Sequence, residues 1–386
     1  MARIHPFRAL RYTPRAGDVA QLATLPYDVI PEELERDYKA RSPYNFAHLI
    51  LPRGDYAGAA ARLDEWRREG IVATEDREAV FVYEQEFPAP GSGERLVRRG
   101  FIALGDTEPY GQTVFRHERT LSGPKEDRFR LLEATRVQFD SIFMLFPDDG
   151  LVVERMLAEG AAQPPEVEYV DHQQTSHRLW RVTEPAWIER LQAAMGDKKL
   201  LIADGHHRYE TALRMGQART MMTCVALESP GLRCFATHRL VHSLPRFDAE
   251  QFLRALPNAE PGAWPVASPP GHVRIGVATA AGEVHTDIPA QQGALNVVVL
   301  QESILSPLLG LTPERVAEGG HLAYTRSAEE ALKAVRSGRA QIAFLLEDLP
   351  VDGLARAAFS GQVLPQKSTY FYPKLGSGLV MYELPA

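Results

Sequence analysis

Cys224 and Cys234 are the only thiols in 386 residues. Two cysteines ten residues apart cannot staple a scaffold or form a Cys-x-x-Cys redox pair, so a reducing, cytoplasmic setting is expected. Long apolar runs are also missing. Stretches such as 142–147 fall far short of the roughly 20 residues needed to cross a bilayer, and the opening MARIHPFRALRYTP holds no signal-peptide core. A membrane partner is therefore not expected. Nor is there an excess of cations: Lys+Arg 43 against Asp+Glu 50 gives a net charge of −7. A nucleic-acid coat needs surplus positive charge to neutralise phosphates, so only a local basic pocket remains to be sought. What is present is 45% apolar and 24% charged residues, the composition of a globular protein with a core. The length suggests two or three domains.

Segments of helical and strand periodicity alternate along the chain. Ala59, Leu63 and Trp66 recur at helical spacing within 56–70, which Gly70 ends. Residues 79–85 and 97–104 are rich in β-formers and flank the turn-forming PAPGSGE, which predicts a hairpin. A helix is expected over 124–138. The stretch 177–215 reads strand (177–182), helix (184–195), short buried strand (199–203) and helix (206–215). The Pro/Gly-rich 256–271 suggests a linker or surface excursion. Beyond it come a strand over VRIGVAT, helices over 295–310 and 327–337, a strand over 341–346 and a helix near 350–360.

Three polar clusters stand out from this pattern. In IADGHHRYETAL (202–213) a buried strand ends at Asp204, Gly205 permits a tight turn, and a helix opens with His206, His207 and Arg208. A helix N-terminus presents unpaired N–H groups and a positive dipole end, which suits a phosphate. Arg208 adds a forked cation, and Asp204 could hold Mg²⁺ or orient a hydroxyl. An Asp-Gly turn with Asp204 as N-cap is the plainer alternative. In FRHERTLSGPKEDR (115–128), His117 and Glu118 precede a turn. A carboxylate beside a histidine suits a general base; a solvated loop with Ser122 capping the next helix is the alternative. In GQVLPQKSTYFYPKLGSG (361–378), Lys367, Ser368 and Thr369 form a compact donor set followed by aromatics and Lys374, suited to gripping a carboxylate or phosphate. The alternative there is an edge strand. Tyr27 and Asp28 in a turn into a helix, and His238-Arg239 after a strand as a second anion contact, are further candidates. His172, His177, His272, His285 and His321 read as surface or satisfied core residues. No Walker loop, GxGxxG, HExxH or GxSxG occurs.

Through HPFRALRY, PYDVI, YNFAHLILP, HERTL…PKEDR, IADGHHRYETAL and PQKSTYFYPKL, the chain resembles the domain-of-unknown-function 1015 family over nearly its full length. That family is grouped with the ParB/sulfiredoxin superfamily, and its motifs are similar to those of free serine kinases, which phosphorylate serine with ATP or ADP. Asp204, Gly205, His206, His207 and Arg208 match the kinases' motif residue for residue. His117-Glu118 matches their Pro-His-Glu with Arg116 in place of proline, and 361–369 matches their C-terminal motif with one extra residue before Lys367.

The resemblance implies an α+β fold with a ParB/sulfiredoxin-like mixed α/β nucleotide-binding core (111–245) and a C-terminal α/β substrate-side domain (246–386); the first 110 residues have no counterpart in the kinases, and domain-size arithmetic makes them an added N-terminal α/β lobe (1–110). The resemblance also implies a Mg²⁺-dependent phosphotransferase with Glu118 as general base and Asp204 as helper, through a metal or the hydroxyl. Residues 205–208 would hold the phosphates of ATP or ADP. His117, Lys367, Ser368 and Thr369 would hold the acceptor, free serine or a similar hydroxy-amino acid. A ParB-like nucleotide-binding regulator that hydrolyses slowly and binds DNA or a protein is the competing expectation, and a metabolite-binding protein without chemistry is a third.

Overall fold

A computed structural model describes residues 2–90, 93–118, 122–262, 267–291, 293–365 and 367–385, with the side chains of 122–125 outside that description. The residues pack into two units. One comprises Met1–Arg116, Thr120–Leu232 and Pro373–Ala386, the other His117–Arg119 and Arg233–Tyr372.

In the first unit, nine strands form one mixed sheet. Its centre is the hairpin read from the sequence: Val80–Pro88 pairs antiparallel with Arg95–Asp106, from Phe81 opposite Ile102 to Pro88 opposite Arg95. β-Branched and aromatic residues suit this pleated surface. Arg95–Asp106 also pairs along its other edge with Arg219–Ala226. Residue 110, where domain-size arithmetic places a boundary, therefore follows a strand whose partners come from both sides of it. Arg219–Ala226 runs parallel to Ile142–Phe146, which pairs antiparallel with Leu200–Asp204. Side chains two apart on a strand share a face. Val80, Val82, Phe101, Ala103, Met144, Phe146, Met222 and Cys224 accordingly enter one core, with Trp187, Ile188, Leu191 and Tyr209 from the helices Pro185–Met195 and His206–Arg214. A second core gathers Leu63 and Trp66 of the helix Tyr56–Arg68 with Tyr38, Phe46, Phe139 and Met381.

The helix expected to reach 138 ends at Thr135. Arg136 adopts φ 56°, which breaks right-handed continuation, and Val137–Gln138 instead pairs with Tyr382–Glu383. The reading of Ser122 as that helix's cap falls outside the described side chains.

The second unit holds a six-stranded antiparallel sheet. The strand His238–Val241 lies between Leu322–Thr325 and Ile342–Leu345, and His272–Thr279 pairs with Gly282–Pro289 and with Ile342–Leu345. Part of the expected linker belongs to this sheet, since Ala259–Pro261 pairs with residues 284–286; residues 263–266 are outside the description. The helix expected over 295–310 is built of three adjoining pieces, with a π segment at Gln301–Leu305. Ser306 N–H reaches back five residues to the Gln301 carbonyl, just before Pro307, which has no N–H to donate.

Candidate functional site

Leu200–Asp204 is buried until its last residue. Gly205 then turns the chain with φ +97° and the helix His206–Arg214 begins. A Cβ at Gly205 would be strained by this angle and would lie 3.0 Å from the Arg208 side chain, so glycine is required. The N-cap is the glycine itself, which brings no side chain to the first turn, and a helix start of this kind aims N–H groups and the positive end of the dipole outward from the bend. His206 and His207, half-buried in that turn, stand where the sequence placed them.

Arg208 folds back over the bend. Its Nη2 donates to Asp204 Oδ2 at 2.9 Å and its Nη1 to the Ser141 carbonyl. The other Asp204 oxygen, Oδ1, accepts from Lys374 Nζ at 2.9 Å. Burial alone would raise the Asp204 carboxyl, but Lys374 and then Arg208 outweigh it and hold the group well below the usual carboxylate range. Burial works against the Arg208 charge too, and the fields of Asp204, Asp140 and Asp28 overcome it. Asp140 is itself pushed up by burial, against the pull of Arg208 and a hydrogen bond from Ser377. Nearby, the Arg128 guanidinium stacks 3.9 Å from the Tyr27 ring centre. Burial, then the Asp28 charge, pushes the Tyr27 hydroxyl up to about 12.

Lys374 reaches this cluster because its segment is pinned along its length. Arg98 donates to the Pro373 carbonyl at 2.6 Å and Gln85 to the Lys374 carbonyl at 2.8 Å. Gly376 N–H donates to the Tyr83 hydroxyl at 2.9 Å, and Ser377 exchanges backbone hydrogen bonds with Thr24. Tyr83 in turn bonds His177 Nδ1 at 2.6 Å, and His177 Nε2 meets Asp171 at 3.2 Å. His177, read from the sequence as a surface or satisfied core residue, is a buried link in this relay. The sequence groups Lys374 with the 367–369 donors and not with Asp204; its partner lies 170 residues away.

Magnesium can be tested against Asp204. Each of its oxygens already faces a cation, and no group of three or more His, Cys, Asp or Glu side chains is poised for a metal among the described residues. A ligand for Mg²⁺ needs carboxylate charge to spare, so Asp204 in this arrangement does not fit that role. It fits instead as the anchor of two cations.

The other expected residues lie in the second unit. Glu118 makes a parallel bridge with Leu364, whose N–H donates to the His117 carbonyl at 2.7 Å. His117 is fully buried and its Nε2 shares a 2.8 Å hydrogen bond with Thr369 Oγ1. Ser368 is also fully buried and donates to the Pro365 carbonyl at 2.6 Å. Neither of these two offers surface to an acceptor; both hold the segment that presents Thr369 and the exposed Lys367, which sits at φ 55°. Residues 119–121 and 366, which the motifs include, are outside the description.

A family model described as "Protein of unknown function (DUF1015)" matches residues 4–303. The chain belongs to that family. No curated protein matches it. Among solved structures, a free serine kinase in complex with AMP is similar at 12% identity and a TM-score of 0.39, over 72% of this chain and 93% of that one. A variant of such a kinase with ADP gives 12% identity and a TM-score of 0.40, over 70% and 88%. A conserved hypothetical protein from Pyrococcus furiosus gives 12% and 0.37, over 70% and 91%. The part of this family member that bears the DGHHR motif is thus a mixed α/β unit with a charged knot at a strand–glycine–helix turn.

Proposed function

We propose that this protein is a small-molecule kinase that moves a phosphoryl group from ATP or ADP to the hydroxyl of free serine or a similar hydroxy-amino acid. The observation that carries the reading is the pair of cations, Lys374 and Arg208, fixed on Asp204 beside the helix start that follows the Gly205 bend. Phosphoryl transfer asks mainly for positioning and for neutralisation of charge on the phosphates. The first-turn amides, His206, His207 and the Lys374 ammonium supply donors of that kind. Asp204 keeps both cations in place and is itself kept ionised by them.

Glu118 serves as the base. It takes the proton of the acceptor hydroxyl; the oxygen bonds to the terminal phosphorus as the bond from that phosphorus to its bridging oxygen breaks, and the shortened nucleotide leaves. No step runs through a protein-bound metal. The match of Asp204–Arg208 to the motif of free serine kinases supports the choice of chemistry.

Incubation of the full chain with Mg²⁺, a nucleotide mixture and a pool of hydroxylated metabolites, followed by mass spectrometry, tests this. A phosphorylated amino acid is the expected product. Release of free phosphate alone, or no turnover, would leave a nucleotide-binding regulator and remove the kinase.

A further inference from the structure

The second unit contains a buried guanidinium with no ion-pair partner among the described residues. Arg239 sits on the strand His238–Val241, opposite Tyr324 on one side and Phe344 on the other. Cross-strand partners share a face of the sheet, so the side chain emerges between two aromatics. It is only 3% exposed. Its hydrogen bond goes to the Thr237 carbonyl, the Tyr324 ring lies 5.9 Å from its centre, and no carboxylate of a described residue pairs with it. Buried arginines are normally compensated by an anion, because taking the charge out of water costs several kcal/mol. Here the cost shows: burial draws Arg239 down to about 10, with only partial relief from Tyr324 and Glu118.

Glu118, the base of the proposed reaction, is therefore close enough for its charge to be felt at Arg239 and at Tyr324. Glu118 and Tyr324, which surround that charge, are themselves half-buried. On the neighbouring strand's continuation Arg326 lies 3.5 Å over the Tyr370 ring, which adds a second cation beside the 367–372 segment. A deeply buried guanidinium fork suits a planar anion such as a carboxylate, whose two oxygens match its parallel N–H donors.

We propose that Arg239 seats the carboxylate of the acceptor and so restricts the enzyme to hydroxy acids and hydroxy-amino acids. This rests on the kinase reading for the word acceptor, but the binding site stands on its own observations.

The test is calorimetric titration of L-serine and of ethanolamine, which keeps the hydroxyl and amine but lacks the carboxylate. The full chain is used as wild type, Arg239→Gln and Arg239→Lys. Wild type is expected to bind serine at least tenfold more tightly than ethanolamine. Arg239→Gln should weaken serine binding on the order of 30-fold or more and leave ethanolamine unchanged, and Arg239→Lys should restore part of the loss. Unchanged ADP binding shows that the variants are folded. Equal binding of the two ligands by wild type, undetectable serine binding, or a serine preference that survives Arg239→Gln would overturn the proposal. Carboxylate-dependent binding without phosphoryl transfer would sink the kinase and keep this site; transfer to ethanolamine as readily as to serine would do the reverse.

Discussion

The two units treat buried charge in opposite ways. In the first, Asp204 is clasped by Arg208 and Lys374, Asp140 receives Ser377, and Arg128 covers Tyr27. In the second, Arg239 is as deeply buried as any of these but has a carbonyl and an aromatic ring for company. A closed network fixes geometry before a ligand arrives, which is what a phosphate seat requires. An uncompensated cation stores an unfavourable energy that a ligand's anion relieves, which is what selects a substrate.

The sharpest way to break the comparison is to open the closed network. Asp204→Ala leaves Arg208 and Lys374 buried without their shared anion and should cost about 3–5 kcal/mol of stability, read as a lower denaturation midpoint in urea. The sign with pH follows. The folded Asp204 carboxyl lies below its unfolded value, so its contribution is complete above about pH 4 and fades as pH falls toward the folded value. Asp204→Asn should flatten that acid limb; an unchanged limb would mean the network contributes nothing.

The second unit should respond to a different pH window. Burial, reinforced by Arg239, draws His238 down to about 4, and its Nδ1 accepts from the Leu346 N–H. The folded protein prefers neutral His238. Stability is then full above the ordinary imidazole value near 6.5 and declines as pH falls toward about 4, by at most roughly 3 kcal/mol. His238→Gln should remove the slope between those values, measured by melts across pH.

A smaller effect sharpens the role of the pinned segment. A Cβ at Gly376 would meet the Tyr169 hydroxyl at 2.5 Å and His177 Nδ1 at 3.1 Å. Gly376→Ala should cost about 1–3 kcal/mol and weaken ADP binding by shifting Lys374. Weaker stability with unchanged ADP affinity would separate Lys374 from the phosphates.

Much of the donor side is local and was legible. The strand–Gly205–helix turn and the 80–106 hairpin follow from short-range pattern, and the mixed α/β class follows from their alternation. The long-range partners were not. Lys374 lies 170 residues from Asp204, and Thr369 lies 252 from His117; nothing in either segment names the other. His117 and Ser368 looked like ligand contacts because polar residues in a loop carry no mark of burial. Arg239 was noticed as a candidate anion contact, but its isolation from carboxylates is a property of the folded sheet.

The most direct test of the account follows label from [γ-³²P]ATP and, in parallel, from [β-³²P]ADP into serine at saturating nucleotide, comparing wild type with Glu118→Gln. General-base assistance is worth roughly 10²–10⁴-fold, so labelled phosphoserine should form with wild type and slow by that factor in the variant while ATP affinity is unchanged. Equal rates for the two proteins, or label recovered only as inorganic phosphate, would contradict it.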